Sequence, residues 1–476
     1  MRNASTLGDV STAAIPQRFA GATLIVIALV LVVFDAVGVS MTPNTCSILL
    51  LTVMAVIGFA IHKTPGGITS LIGLLFLGTL VFIVPRPLFA LVTQDDSAYT
   101  LLFGRLVEPR GPDLYRLLAF WTIGVASLFG GYFLFFCNTR RDLTPLGDRH
   151  RTYCKRSFIV AIIIVAILLP VLLHKRFGAF ATGGYAALYL NQAESGFSLL
   201  PLIGYLSPTL FALAVIIGEK RYSRLMVVAV MAYALCGVVF GKRMEVGTWL
   251  LIVLWHFSTV RCKPIRIGRL LVGFAVVGYA FQWIQMVRDG AQSGSVADHP
   301  VIVDFLISQG ITFMIPALSW QLSPPPLHTI IGSLLSMRHV YRALGIGSIE
   351  TANMVDYITA QSSPALFEAG NGLDSSAFLD IFYICGRVIV FYAAACGFLG
   401  CLLRKWEEKA FHSNAALFFL CTCLPALFSI QRSGVANITS PIVFISMFMI
   451  TTYILSAVLT VIETNEFAWK GIRAEN

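Results

Sequence analysis

Residues Ser157–Leu173 read SFIVAIIIVAILLPVLL, seventeen positions without a charge. As a helix this stretch rises about 25 Å, close to the ~30 Å hydrocarbon thickness of a bilayer. Basic residues stand on both sides of it: Arg149, Arg151, Lys155 and Arg156 before, His174-Lys175-Arg176 after. It reads as a membrane span, and the rest of the chain repeats its character. The 476 residues are 57% apolar and only 12% charged, with mean hydropathy +0.80. Soluble domains carry roughly twice that charged share. A chain this apolar cannot hide its surface in one or two globular cores, which excludes a soluble enzyme. Disordered, coiled-coil and disulfide-scaffold readings are excluded as well. The net charge of +10 reports topology and requires no nucleic-acid partner.

Twelve apolar runs are long enough to be spans: Phe19–Val39, Cys46–Ile61, Ile68–Val84, Leu117–Phe136, Ser157–Leu173, Leu199–Gly218, Leu225–Phe240, Val246–Thr259, Leu270–Met286, Ser376–Leu403, Ala415–Ile430 and Pro441–Ile462. The expected fold class is therefore all-α and polytopic. Residues 1–18 and 463–476 are read as cytoplasmic tails around one membrane domain, 19–462, whose first span is a retained anchor. With both termini inside, the 85 inner residues hold 21 Lys or Arg and the 167 outer residues hold 12, in the direction of the positive-inside rule. Three outer loops are long: 85–116, 174–198 and 287–375. A protein that elaborates only its outer side is expected to work there. Within the third loop, Val301–Leu318 and His328–Met337 flank Ser323-Pro324-Pro325-Pro326. A re-entrant or surface-lying helical hairpin is preferred to an extra spanning pair, because the second arm is short and Asp304 lies in the first.

A few residues demand a chemical reason. Gly241-Lys242-Arg243-Met244-Glu245 joins spans of 16 and 14 residues, about 21–24 Å each and shorter than the bilayer core. The turn is expected to be sunk, with Lys242 and Arg243 at membrane depth facing water or an anion. Snorkelling anchors are the plainer account. Arg176 opens the second large outer loop, with Tyr185 and Tyr189 one helical turn apart. Arginine suits phosphate through its planar fork, and tyrosine faces suit sugar rings or the interfacial layer. Arg288 and Arg432 repeat the theme more weakly. Ahead of the tenth span stands Asn371-Gly372-Leu373-Asp374-Ser375-Ser376, followed by Asp380, Tyr383 and Gly386. Ser375 or Ser376 reads as the N-cap. Asp380 and Arg387, seven residues apart, would share one face of a continuous helix, either as an intramembrane pair or with the carboxylate lining the outer cavity. Gly386 would admit a neighbouring helix.

Familiar catalytic signatures are missing: there is no GxxxxGK[ST], HExxH, GxSxG or CxxC. No metal and no cofactor is expected. Asp95-Asp96 is a two-residue hint of a metal-using glycosyltransferase, against a solvated loop. His299, His328 and His339 have no recognisable partners in sequence.

These features together resemble the Wzy family of O-antigen or oligosaccharide repeat-unit polymerases of bacterial inner membranes. Span count and outer-loop placement carry the resemblance along most of the chain. At residue level, Gly241-Lys242-Arg243 is similar to the family's Gly-x-Arg turn. Gly372-Leu373-Asp374-Ser375-Ser376 with Asp380, Tyr383 and Gly386 is similar to its glycine, serine, acid, tyrosine, glycine pattern. Some members carry Arg-x10-Gly in two outer loops; here Ala187 and His299 stand eleven residues after Arg176 and Arg288, and those roles are not carried over. Aspartate at 380 replaces the more usual glutamate.

The resemblance implies transfer, on the periplasmic face, of a growing glycan from undecaprenyl diphosphate to an incoming lipid-linked repeat unit. It implies Arg243, Lys242, Arg176 and Asp380 as catalytic candidates. Tyr185, Tyr189, Arg288, Arg432, Asp374 and Tyr383 become substrate-binding candidates, and Asp380, Glu194 and His299 are alternatives for the general base. A chain-length regulator and a flippase are the implied protein partners. An O-antigen ligase has the same architecture and donor. A flippase would need charges deep within several spans, and most spans here carry none.

Overall fold

The computed structural model describes residues 14–103, 105–137, 146–194, 202–239, 243–260, a few positions between 272 and 279, then 306–335, 348–368, 373 and 375–474. Within them the chain is helical apart from one hairpin. The elements are α1 Ile15–Val37, α2 Pro43–His62, α3 Leu71–Phe82, α4 Pro85–Thr93, β1 Leu101–Phe103, β2 Arg105–Val107, α5 Pro112–Leu134, α6 Asp148–Glu194, α7 Leu202–Ile217, α8 Lys220–Val239 and α9 Arg243–Trp255. They continue with α10 Ile315–Trp320, α11 Leu327–Leu335, α12 Met354–Ser362, α13 Pro364–Glu368, α14 Ala377–Ile384, α15 Ile389–Ala410, α16 Asn414–Phe428 and α17 Ala436–Ala474. Helices stand at eleven of the twelve expected spans; the ninth, 270–286, lies almost wholly outside the described residues. Six of the helices are long and apolar enough to cross a membrane. A seventh span is formed if α3 and α4, bent by 47° at Ile83–Val84, count as one. Shorter apolar helices include Ile203–Ile217, Val246–Ser258 and Asn414–Phe428.

The centre of the fold is α5. Its sequence runs from Leu114 to Phe133 with scarcely an exposed position, and it packs along both α1 and α15. Small residues let the backbones approach. A Cβ on Gly21 of α1 would lie 2.6 Å from the amide nitrogen of Leu134. One on Gly131 would meet the carbonyl of Gly397, and one on Gly400 the carbonyl of Leu128.

Where α5 finishes, a buried polar knot ties the same three helices. Arg404 Nη1 lies 2.9 Å from Glu407 Oε2, with side chains 3% and 8% exposed. Tyr132 Oη also donates to Glu407, and Arg404 Nη2 donates to the carbonyl of Cys137. Arg18 Nε donates to the carbonyl of Phe136 at 3.1 Å. The carbonyls of Phe136 and Cys137, just beyond the end of α5, are thus taken up by two guanidinium groups. Nearby, Lys155 Nζ and Arg151 Nη2 stand 2.7 and 3.2 Å from Glu219. The Lys155 hydrogen bond leads in holding that carboxyl below its usual range.

Three local expectations are revised. The tenth span is not one helix: α14 and α15 are separated at Cys385–Val388, where Gly386 and Arg387 have φ of +63° and +64°. Left-handed residues cannot extend a right-handed helix. The amides of Gly386 and Arg387 instead close α14 on the carbonyls of Tyr383 and Phe382, at 3.0 and 2.9 Å. Asp380 and Arg387 therefore share no helix face, and Gly386 is a helix terminator, not a packing notch.

Second, the basic segment expected to open an outer loop at His174 lies within α6, whose 47 residues run on to Glu194. Third, Arg404–Ala410, expected in a loop, is the last part of α15. Residues 306–335 form two helical arms about the Ser323–Pro326 turn, in line with the expected hairpin, the first arm buried and the second exposing Leu327 and Leu335. Phe313, Met314, Ile315 and Leu318 are buried, and Trp121 Nε1 donates to the carbonyl of Phe313 at 2.9 Å.

Candidate functional site

The hairpin, α14 and the turn between α16 and α17 meet where α5 begins. Ser376 caps α14 by accepting from the amide of Phe378 at 3.2 Å. This brings Asp380, one turn in, against the turn. Its carboxylate is buried, and both oxygens are engaged. Oδ1 accepts from Ser375 Oγ at 3.1 Å and Oδ2 from the amide of Val435 at 2.9 Å. A Cβ at Gly434 would stand 2.6 Å from Oδ2, so only glycine lets the backbone come this close. In the same turn, Gln431 Nε2 donates to the Leu75 carbonyl and to Thr79 Oγ1, each at 2.9 Å.

The hairpin bridges two further candidates. Arg432 Nη1 donates to Gln309 Oε1 at 3.0 Å, and its guanidinium lies 5.7 Å from the Phe82 ring centre. Tyr383 Oη donates to the carbonyl of Ser319 at 3.2 Å. Asp380, Tyr383 and Arg432 therefore belong to one constellation around residues 309–320, although at least 49 positions separate Arg432 from the other two.

Beside it opens a small pocket of about 30 Å³, room for a water or two. Asp35 from the end of α1, Arg116 and Phe120 from the start of α5, Trp320, Phe382 and Arg387 line it. The Arg116 guanidinium lies 4.8 Å from the Trp320 ring centre. Phe120 stacks on Tyr392 at 4.9 Å and meets Phe382 edge-on at 5.4 Å. Aromatic faces of this kind hold a guanidinium without neutralising it.

A family model for the O-antigen polysaccharide polymerase Wzy matches residues 22–465. The chain belongs to the Wzy family. No curated protein and no solved structure matched it. Wzy proteins polymerise lipid-linked oligosaccharide repeat units into O-antigen, and this chain is a Wzy polymerase embedded in a membrane by many spans.

For this Wzy chain, several sequence candidates lie outside the described residues: Lys242, Arg288, Asp374, His299 and His339, and the side chains of Arg243, Tyr185, Tyr189 and Glu194. The backbone of Arg243 starts α9. Arg176 is half-buried on α6. Asp95 accepts from the amide of Ser97 at 2.9 Å, capping the turn Asp96–Tyr99. That is an ordinary cap motif. Among the described residues, no three His, Cys, Asp or Glu side chains cluster to hold a metal. His328 Nε2 pairs with Thr351 Oγ1 at 2.9 Å. Sequence reasoning missed Asp35, Arg116 and Trp320 altogether. For the two ions the one local signal is that a charge stands near the end of an apolar run, which is too common to single out.

Proposed function

We propose that this polymerase works on the periplasmic face of the bacterial inner membrane, with both termini in the cytoplasm. Its donor is a growing glycan on undecaprenyl diphosphate, and its acceptor is a hydroxyl of an incoming lipid-linked repeat unit. The bond between the anomeric carbon and the diphosphate oxygen breaks, and the diphosphate leaves with the electron pair. The acceptor oxygen forms the new glycosidic bond and gives up its proton. No nucleotide is needed, because the lipid diphosphate is itself a good leaving group. The work left to the protein is to stabilise charge on that diphosphate and to align the hydroxyl.

Lys242 and Arg243 in their short turn, with Arg176, are assigned to the diphosphate, and Arg288 and Arg432 are auxiliary cations. Tyr185, Tyr189, Asp374 and Tyr383 are assigned to the sugar side. A chain-length regulator and a flippase are the protein partners this reaction calls for. The match over residues 22–465 supports the polymerising step, and the surplus of Lys and Arg on one set of loops supports the side.

Arg243→Ala tests the assignment. The variant should insert normally, and loss of one preorganised cation should slow transfer by about 10²–10³. Lipopolysaccharide gels should then show core capped with single repeat units. Loss of all capping would indicate a ligase, and long chains at normal abundance would remove Arg243 from the mechanism. Arg243→Lys should also be impaired, because an ammonium cannot bridge two oxygens as a fork.

A further inference from the structure

The opposite end of the bundle carries charges that glycan transfer does not use. We propose that the starts of α6 and α8 form a binding site for an anionic glycerophospholipid of the cytoplasmic leaflet. Its phosphate is held by Arg221 and Arg224, and an acyl chain lies along the outward face of α8. Neither the sugar chemistry nor the role of Arg243 enters this inference; only the name of the leaflet rests on the sidedness given above.

Three observations carry it. The first is depth. Lys155 and Arg151, just before the apolar run Ser157–Leu173, both pair with Glu219, the residue that precedes α8. Lys155 Nζ also lies 5.9 Å from the Tyr222 ring centre, and Phe158 meets that ring edge-on at 5.1 Å. These contacts hold the start of α8 level with the start of the α6 span, where headgroup phosphates lie. The second is charge. Glu219 is already taken by two cations, and Arg221 adds only a longer-range attraction to it. Lys220, Arg221 and Arg224 are all exposed, and among the described residues none has a carboxylate within ion-pair distance. Their charge is left for an anion, and guanidinium forks suit phosphate oxygens.

The third is the face of α8 on which those arginines stand. Leu225 follows Arg221 by four residues, Val228 follows Arg224 by four and Arg221 by seven, and Leu235 follows Val228 by seven. At 3.6 residues per turn these spacings put all five on one side of the helix. Leu225, Val228 and Leu235 are exposed. From Arg224 to Leu235 the strip descends about 16 Å, half the ~30 Å hydrocarbon thickness and so one leaflet. Two cations therefore head an apolar strip of leaflet depth on the same face, which is the layout of a phospholipid. Excess positive charge on the cytoplasmic side sets topology, but that rule does not require the charges to stand over one outward strip beside a second basic helix. Basic sites between spans on this side take acidic headgroups. A free phosphate would have no use for the strip.

The test is native mass spectrometry of the full-length protein in mild detergent, titrated with dioleoylphosphatidylglycerol or with dioleoylphosphatidylcholine of the same chains. The phosphatidylglycerol should bind first and more tightly. Arg221→Gln/Arg224→Gln should weaken that first binding by about tenfold or more, the effect of two cations at a headgroup. Lys405→Gln/Lys409→Gln removes two exposed charges near the end of α15 and should leave it unchanged. A second measurement needs no variant. Chain-borne diazirine phosphatidylglycerol should label the peptide with Val228 and Leu235 more than the matching phosphatidylcholine does, and inorganic phosphate at equal concentration should not compete. Equal labelling by the two lipids, competition by inorganic phosphate, or an equal loss in the Lys405/Lys409 variant would each overturn the proposal. Failure of the Arg243 assignment would appear only in O-antigen length, and failure of this site only in lipid binding.

Discussion

Glu407→Ala should deplete the folded protein from the membrane. Glu407 is 8% exposed on its side chain and is the carboxylate partner of the buried Arg404 guanidinium. Removing it leaves that cation uncompensated among Phe136, Tyr132 and the carbonyl of Cys137. Breaking one side of a buried pair costs about 3–5 kcal/mol, a large fraction of the ~5–15 kcal/mol by which folded proteins exceed their unfolded states. The measurement is size-exclusion chromatography of a fluorescent fusion, with a thermal ramp on whatever remains. Glu407→Gln should recover part of the loss, since the amide oxygen still accepts from Tyr132. Replacing both partners by methionine should do better than either single change, because no charge is then stranded. Wild-type accumulation of Glu407→Ala would show that the knot contributes little.

Asp380 separates two ideas about the site. As a general base it must lose activity completely on conversion to asparagine. As the residue that holds Val435 and Ser375 in place, it should tolerate that change, because the amide oxygen still accepts one of the two bonds. Its burial and its two occupied oxygens favour the second. We expect Asp380→Asn to keep polymerisation within about tenfold of wild type. Asp380→Ala should lose about ten- to a hundredfold, as stranding the amide costs about 1–3 kcal/mol and frees the turn that carries Arg432. Gly434→Ala should resemble the alanine variant, since the new methyl and Oδ2 would compete for one space. Distribution of O-antigen lengths on gels reads all three. An inactive asparagine variant, inserted at normal levels, would return Asp380 to the role of base.

The spans were legible because water excludes long apolar runs whatever their neighbours do, and α1, α2, α5 and α16 stand close to where their hydropathy puts them. Hydropathy is blind to φ, however. Cys385–Val388 carries a single charge, Arg387, too little to interrupt a long apolar run, so the break hides inside it. The sign of it was Gly386, a helix-ending glycine read instead as a packing position. Charge counting likewise placed Arg404 and Glu407 in a loop, because it sees two ions and not their pairing. The glycine, serine, acid, tyrosine pattern was legible as a pattern, and its local roles are cap, anchor and tether. Arg432 reaching Gln309, 123 positions away, and the meeting of Asp35, Arg116 and Arg387 have no local trace. Such sites are made by packing three helix ends together, and their geometry exists only in the folded protein.

The length of α6 has a practical consequence. Forty-seven residues make about 70 Å of helix, more than twice the ~30 Å apolar slab, and an average tilt of ~20° shortens its reach only slightly. With Ser157–Leu173 in the slab, the stretch after it, to Glu194, projects like a mast about 30 Å into the aqueous phase. A Fab raised to that mast would supply the alignment landmark that electron cryomicroscopy needs for a particle made almost wholly of spans. Binding of the same Fab to sealed vesicles of known sidedness would reveal which compartment the mast enters.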